Sequence, residues 1–195
     1  MWKTDGTGAG TQLVRDLRSE AGRRVQAEQL TRAGGTLFVA ANSSGVYQLL
    51  IKSDGSGRET IAGVAGNDTL FGGEGNDRVD GGEGNDSVWG QGGDDTVIGD
   101  IGVDSLYGNG GNDRLEGGAN SDHVRGNGGR DTLYGNGGND RLYGDDGFAD
   151  TLRGGAGDDA LITVDDVIDH LFGDGGRDTA IADSVDLLTS IEVQQ

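Results

Sequence analysis

Between residues 63 and 181 one aliphatic side chain returns at almost every ninth position, with polar or small residues on either side. The series is Leu70, Val79, Val88, Val97, Leu106, Leu115, Val124, Leu133 and Leu142, then Leu152 and Leu161 after a slip of one residue. A lone apolar residue between polar neighbours predicts a short strand with one inward side chain, and the three- and four-residue spacing of a helix is absent. The phrases between these positions are rich in Gly. The cleanest copies are residues 72–80, GGEGNDRVD, and 81–89, GGEGNDSVW. The first six positions predict a turn, with Gly at positions one, two and four entering the left-handed region, and the last three a strand. Asn120 stands at position four of its copy and is the non-Gly residue most tolerant of that region.

Two repeats then make one flattened coil of 18 residues, with a strand on each of two parallel sheets. Thirteen repeats stack to roughly 30 Å. A core of one Leu or Val per repeat is too thin to offset the ordering of so much Gly, so another source of free energy is required.

Charge supplies it. The chain has 195 residues, 41 of them Gly, and a net charge of −19. Residues 1–60 hold eight Lys/Arg and six Asp/Glu, so the whole acidic excess lies beyond them. Such a field repels nucleic acid and anionic lipid and attracts cations. The Asp residues fall in a column at nine-residue steps: Asp68, Asp77, Asp86, Asp95, Asp104, Asp113, Asp122, Asp131 and Asp140. The phrase then slips, giving Asp150, Asp159 and Asp178. Stacking brings each Asp next to the one 18 residues on, with turn carbonyls in the same gap. Carboxylates and carbonyls without Cys or His form a hard oxygen site, suited to Ca²⁺ rather than zinc or copper. About nine such gaps are expected, and nine divalent ions would nearly neutralise the repeat segment. Cys is absent, so metal is the available staple.

The phrase resembles the GGxGxDxUx nonapeptide of the repeats-in-toxin (RTX) family over residues 62–181. That resemblance implies an all-β, right-handed parallel β-roll, a solenoid, with Ca²⁺ held by the aspartates named above. It also implies a protein secreted by a Gram-negative bacterium through type I secretion machinery. Such a chain stays unfolded in the calcium-poor cytosol and folds outside the cell. The start of the chain has no pattern of a cleavable signal peptide, and no apolar run is long enough to span a membrane.

The pattern frays towards the end. An extra residue near Phe148 and Ala149 delays the acidic position to Asp150 and predicts a bulge. Residues 163–172 lack turn glycines, which predicts a distorted coil with a weak or absent ion, and residues 173–181 restore the phrase with Ala180 inside. Residues 182–195 read as a cap for the exposed solenoid end, as an export signal, or as both. The ninth position faces outward. Its odd column, Phe71, Trp89, Tyr107, Arg125, Tyr143, Ile162 and Ile181, is more aromatic than the even one. A stabilising ladder along the sheet accounts for it; a docking surface for a polysaccharide or protein partner is the alternative.

Residues 1–61 form a separate small β segment by composition. Trp2 to Thr7 and Ile51 to Ser56 resemble the ELWxxDGT repeat of bacterial surface proteins, which implies a partial propeller array belonging to a longer protein. Strands are expected near residues 34–40 and 46–51. The Arg-rich stretch from Arg15 to Arg32 is compatible with a helix. No nucleophile elbow, phosphate loop or HExxH motif is present. His123 and His170 read as surface residues. The expected function is non-catalytic calcium binding by a secreted module. The alternatives are the tail of a surface adhesin or matrix protein, or of a secreted hydrolase or toxin.

Overall fold

A computed structural model describes residues 57–144 and 147–193, together with seven short strands earlier in the chain. All regular structure among these residues is strand. Two parallel sheets dominate. One has eight strands, running from Thr60–Ala65 through Arg78–Glu83 and every second strand thereafter to Leu187–Thr189. The other has nine, from Leu50–Lys52 through Thr69–Glu74 to Glu192–Val193. The chain alternates between them, so each coil adds one strand to each sheet and packs on its predecessor. This is the predicted β-roll, of about seven coils.

Register follows the repeat. Val79 pairs with Ile61 on one side and Val97 on the other, both 18 residues away. After the slip the step becomes 19, with Leu133 opposite Leu152. The extra residue is absorbed in the loop beside Phe148, and both sheets keep their alignment.

The inward column forms the core of the roll, with Ala182, Leu188 and Ile191 packed against it at the end. Fourteen side chains from Ile61 to Ala180 line it, all nearly solvent-free. They include Leu171 from the stretch that lacks turn glycines, so that coil is completed despite its sequence.

Two expectations about the turn need correcting. Most strands of the roll are six residues long, as in Arg78–Glu83, and include the first two positions of the next phrase. The true turn is only the three residues Gly75 to Asp77. Parallel ladder bonds depend on backbone alone, so they run past the point where side chains suggest a turn. The glycines also divide their work differently. Positive φ occurs at positions two and four, as at Gly82 (97°) and Gly84 (135°), whereas position one has ordinary φ. Position two often carries another residue in that conformation, such as Asn109 (75°), and Asn120 at position four has φ 79°. Position one is Gly for lack of space, as the acidic corners show.

Outside, Phe71, Trp89 and Tyr107 stack face to face along the nine-stranded sheet, with centroids 4.7 and 5.2 Å apart. His123 lies 4.9 Å from Tyr143, and the Arg125 guanidinium lies 4.8 Å from the same ring. The aromatic stripe is therefore a ladder, and His123 is part of it rather than a free surface residue.

In the first sixty residues three antiparallel pairs are described: Trp2–Lys3 with Gln12–Leu13, Gln26–Ala27 with Ala41–Asn42, and Arg32–Ala33 with Thr36–Leu37. The strand expected at residues 46–51 is described only from Leu50, as Leu50–Lys52, which pairs in parallel with Thr69–Phe71. Most of the stretch from Arg15 to Arg32, and of the two ELWxxDGT-like phrases, lies outside the described residues.

Candidate metal centre

Each coil turns two acidic corners. One carries Asp77, Asp95, Asp113, Asp131 and Asp150, and the other carries Asp68, Asp86, Asp104, Asp122, Asp140, Asp159 and Asp178. All twelve predicted carboxylates are buried, each less than 5% exposed. Stacking holds them in line. The backbone N–H of Asp77 donates to Oδ1 of Asp95 at 2.7 Å, and that of Asp86 to Oδ1 of Asp104 at 2.7 Å. The link repeats along both corners, including across the slip, where Asp131 N–H donates to Asp150 Oδ1 at 2.8 Å.

Oδ1 is thus occupied, and Oδ2 is not. Among the described residues no donor reaches the buried Oδ2 of Asp77, Asp86, Asp95, Asp104, Asp113, Asp122, Asp140, Asp159 or Asp178. A buried carboxylate oxygen without a donor is costly unless a cation neutralises it. Other oxygens gather there too. A Cβ added to Gly72 would lie 2.5 Å from the Gly90 carbonyl and 2.9 Å from Asp77 Oδ2. One on Gly117 would lie 2.6 Å from Asp122 Oδ2 and 2.9 Å from the Gly135 carbonyl. So a carboxylate oxygen and a carbonyl of the next coil converge on the small space that the missing side chain leaves. This converging set is made of acceptors alone, and hard cations with flexible coordination, Ca²⁺ above all, accept such donors. No group of three carboxylates or imidazoles that could hold a metal occurs among the described residues, so carbonyls have to complete each set.

Without a cation these groups resist ionisation. Burial pushes Asp122 up to about 8, against the hydrogen bond from Asp104 N–H and with help from the Asp104 and Asp140 charges. Burial likewise pushes Asp95 up to about 7 and Asp77, Asp104, Asp113 and Asp159 up to about 6. Asp86 and Asp140 move in the same direction for the same first cause.

Three more acidic residues belong to the first corner. Glu59 precedes Asp77 by 18, is 1% exposed, and donates its N–H to Asp77 Oδ1 at 2.7 Å. Asp169 is fully buried and donates its N–H to Asp186 Oδ1 at 3.0 Å. Asp186 closes the row, and its Oδ2 accepts from Thr163 Oγ1 at 3.1 Å and from Asp183 N–H at 3.0 Å. Glu59 was visible in the sequence as an acid nine residues before Asp68, but Asp54 precedes it where the phrase has Gly. The coil of Asp169 differs in one further way. A Cβ on Gly144 would meet the Thr163 methyl at 2.9 Å, where Gly72, Gly90 and Gly108 of the same corner face a carbonyl.

A second ladder runs beside the first at position five. Asn85 N–H donates to Asn67 Oδ1 at 2.9 Å, Val103 N–H to Asn85 Oδ1 at 2.8 Å, and Arg130 N–H to Asn112 Oδ1 at 3.0 Å. Here the later coil donates to the earlier one, opposite to the Asp column.

A family profile described as the RTX calcium-binding nonapeptide repeat matches four times, at residues 53–88, 89–124, 116–148 and 147–163, together more than half the chain. The chain belongs to that family. No curated protein matches the chain. RTX repeats bind calcium, which agrees with a corner built from acceptor oxygens only. The first RTX copy begins at residue 53, ahead of the first GGxGxD phrase, and so takes in Glu59.

Proposed function

We propose that this RTX chain is a non-catalytic, calcium-triggered folding module of a secreted protein. Asp68, Asp77, Asp86, Asp95, Asp104, Asp113, Asp122, Asp131, Asp140, Asp150, Asp159 and Asp178 are its ligand side chains. The observation that carries the reading is the row of buried Oδ2 atoms facing carbonyls of the next coil. Bound Ca²⁺ supplies positive charge that allows these carboxylates to stay ionised inside the fold. The chain's own part is to hold Oδ1 with a backbone N–H, to keep the first glycine bare, and to aim carbonyls at the gap. Metal-free, the same carboxylates repel one another around a core one side chain wide, and the chain remains largely unfolded.

An unfolded acidic chain suits export through a type I channel, with folding completed where Ca²⁺ is abundant. Circular dichroism in EDTA and then in millimolar Ca²⁺ tests the module. A cooperative gain of β signal is expected, and a spectrum indifferent to Ca²⁺ overturns the proposal.

A second reading, the tail of a surface adhesin, draws on the ELWxxDGT-like phrases and the stripe of Phe71, Trp89 and Tyr107. The face-to-face stacking favours a stabilising ladder, because it leaves ring edges rather than faces to a partner. On the adhesin reading, Trp89→Ala and Tyr107→Ala abolish attachment to a surface polysaccharide and spare Ca²⁺-induced folding.

A further inference from the structure

A cleft that the repeat does not require lies on the outer face of the second corner. Position seven of each phrase faces outward there, opposite in sense to the inward position eight. Ala160 is the smallest side chain in that column between Thr69 and Thr179. It pairs with Arg141 on one side and Thr179 on the other. Two strands about 10 Å apart therefore flank a floor that is only a methyl high. A cleft of about 460 Å³ opens over it, walled by Arg141, Arg177, Asn139 and Asp158.

Backbone bonds fix the wall. Asp158 N–H donates to Asn139 Oδ1 at 2.9 Å, and Arg177 N–H donates to Asp158 Oδ1 at 2.9 Å. That leaves Asn139 Nδ2 as a donor and Asp158 Oδ2 as an acceptor, neither with a partner among the described residues. The two guanidiniums are unengaged as well. Arg78, Arg114 and Arg153 each pair with a carboxylate, and Arg114 and Arg153 also lie over a ring. Among the described residues Arg141 and Arg177 do neither, in a chain with 34 acids to 15 Lys/Arg.

Two guanidinium forks match a carboxylate, and the amide and carboxylate beside them match hydroxyls. Asp140 and Asp159 also border the cleft, but both are buried, 1% and 2% exposed. On the calcium reading, on which the charge balance here rests, Ca²⁺ neutralises them and only Asp158 opposes the two arginines. We propose that this cleft binds a uronic acid unit of an acidic polysaccharide. Its carboxylate sits between Arg141 and Arg177, and its hydroxyls meet Asn139 and Asp158.

Calorimetric titration of the Ca²⁺-loaded full chain with a galacturonic acid trisaccharide tests the site, with neutral galactotriose and a triglutamate peptide as comparisons. Binding of the uronate alone is expected. Arg141→Gln and Arg177→Gln should each weaken it about tenfold, the loss of one charge-assisted hydrogen bond. Ala160→Gln should weaken it as much by filling the floor, with every charge kept. All three variants should fold at the wild-type Ca²⁺ concentration by circular dichroism, because the altered side chains lie outside the acidic corner. Uronate binding that survives the double Arg variant is bridging through Ca²⁺ and overturns the site. Equal binding of triglutamate shows charge attraction alone and overturns the sugar assignment. Wild type that folds with Ca²⁺ but ignores the trisaccharide overturns this site and leaves the calcium reading standing. A spectrum indifferent to Ca²⁺ overturns both.

Discussion

The backbone N–H of Asp104 donates to Oδ1 of Asp122 at 2.8 Å, so each coil pins the carboxylate of the next. That bond separates two roles within one side chain. Asp122→Asn keeps an acceptor at Oδ1 and removes the charge at Oδ2, whereas Asp122→Ala removes both. The Asn variant should raise the Ca²⁺ midpoint of folding by circular dichroism. The Ala variant should do so and also lose about 1–3 kcal/mol, because Asp104 N–H is left buried without its acceptor. Equal effects from the two would mean that the charge at Oδ2 is irrelevant.

Acidity should act in opposite directions with and without calcium. The folded values of about 8 for Asp122 and about 7 for Asp95 lie above the 3.8 of a free side chain. Between about pH 4 and 8 the metal-free folded state therefore binds more protons than the unfolded one, and its stability falls as pH rises. With Ca²⁺ present the ligands must be deprotonated, so stability rises over the same range. Circular dichroism in EDTA should show more β structure at pH 4.5 than at pH 7.5, and saturating Ca²⁺ should reverse the order.

Thr163 puts a methyl where Gly72, Gly90 and Gly108 of the same corner face a carbonyl. Thr163→Gly should therefore open the step between Asp150 and Asp169 and add one bound Ca²⁺ per chain by dialysis. Loss of the Thr163 hydroxyl bond to Asp186 costs about 1 kcal/mol in the metal-free state. A count that stays the same would show that the methyl is not what closes this step.

The first glycine of each phrase should be less replaceable than a glycine needed for φ alone. A Cβ on Gly117 meets Asp122 Oδ2 and the Gly135 carbonyl, while Gly147, at φ 86°, has nothing within 4 Å of its added Cβ. Gly117→Ala should cost about 1–3 kcal/mol of calcium-bound stability through overpacking and lose bound Ca²⁺. Gly147→Ala should cost about 1–2 kcal/mol through backbone strain and keep every ion. Thermal melts with ion counting distinguish them.

The inward column from Leu70 to Leu161 and the acidic column from Asp68 to Asp178 could be read from the sequence because both keep a fixed step through a fixed corner. Strand length could not. Gly72 and Gly73 look like turn residues, yet the parallel ladder runs on through their backbone. Glu59 was missed because Asp54 hides the start of its phrase, and Asp169 because its coil has no turn glycines. Asp186 was missed because the last step shortens to 17. The position-five ladder was signalled by the Asn that stands before Asp68, Asp77, Asp86, Asp113 and Asp140.

The two ladders run in opposite senses, and this makes the ends of the roll chemically unequal. In the Asp ladder an early coil is finished only when a later one brings its carboxylate. In the Asn ladder the early coil already holds the acceptor that its successor requires. Cutting the stack after any complete coil would strand an inner amide on one fragment and an inner carboxylate on the other. The molecule thus has a built-in direction of growth. A grafted coil must supply an acid at one terminus and a backbone amide at the other, so two identical ends cannot be joined.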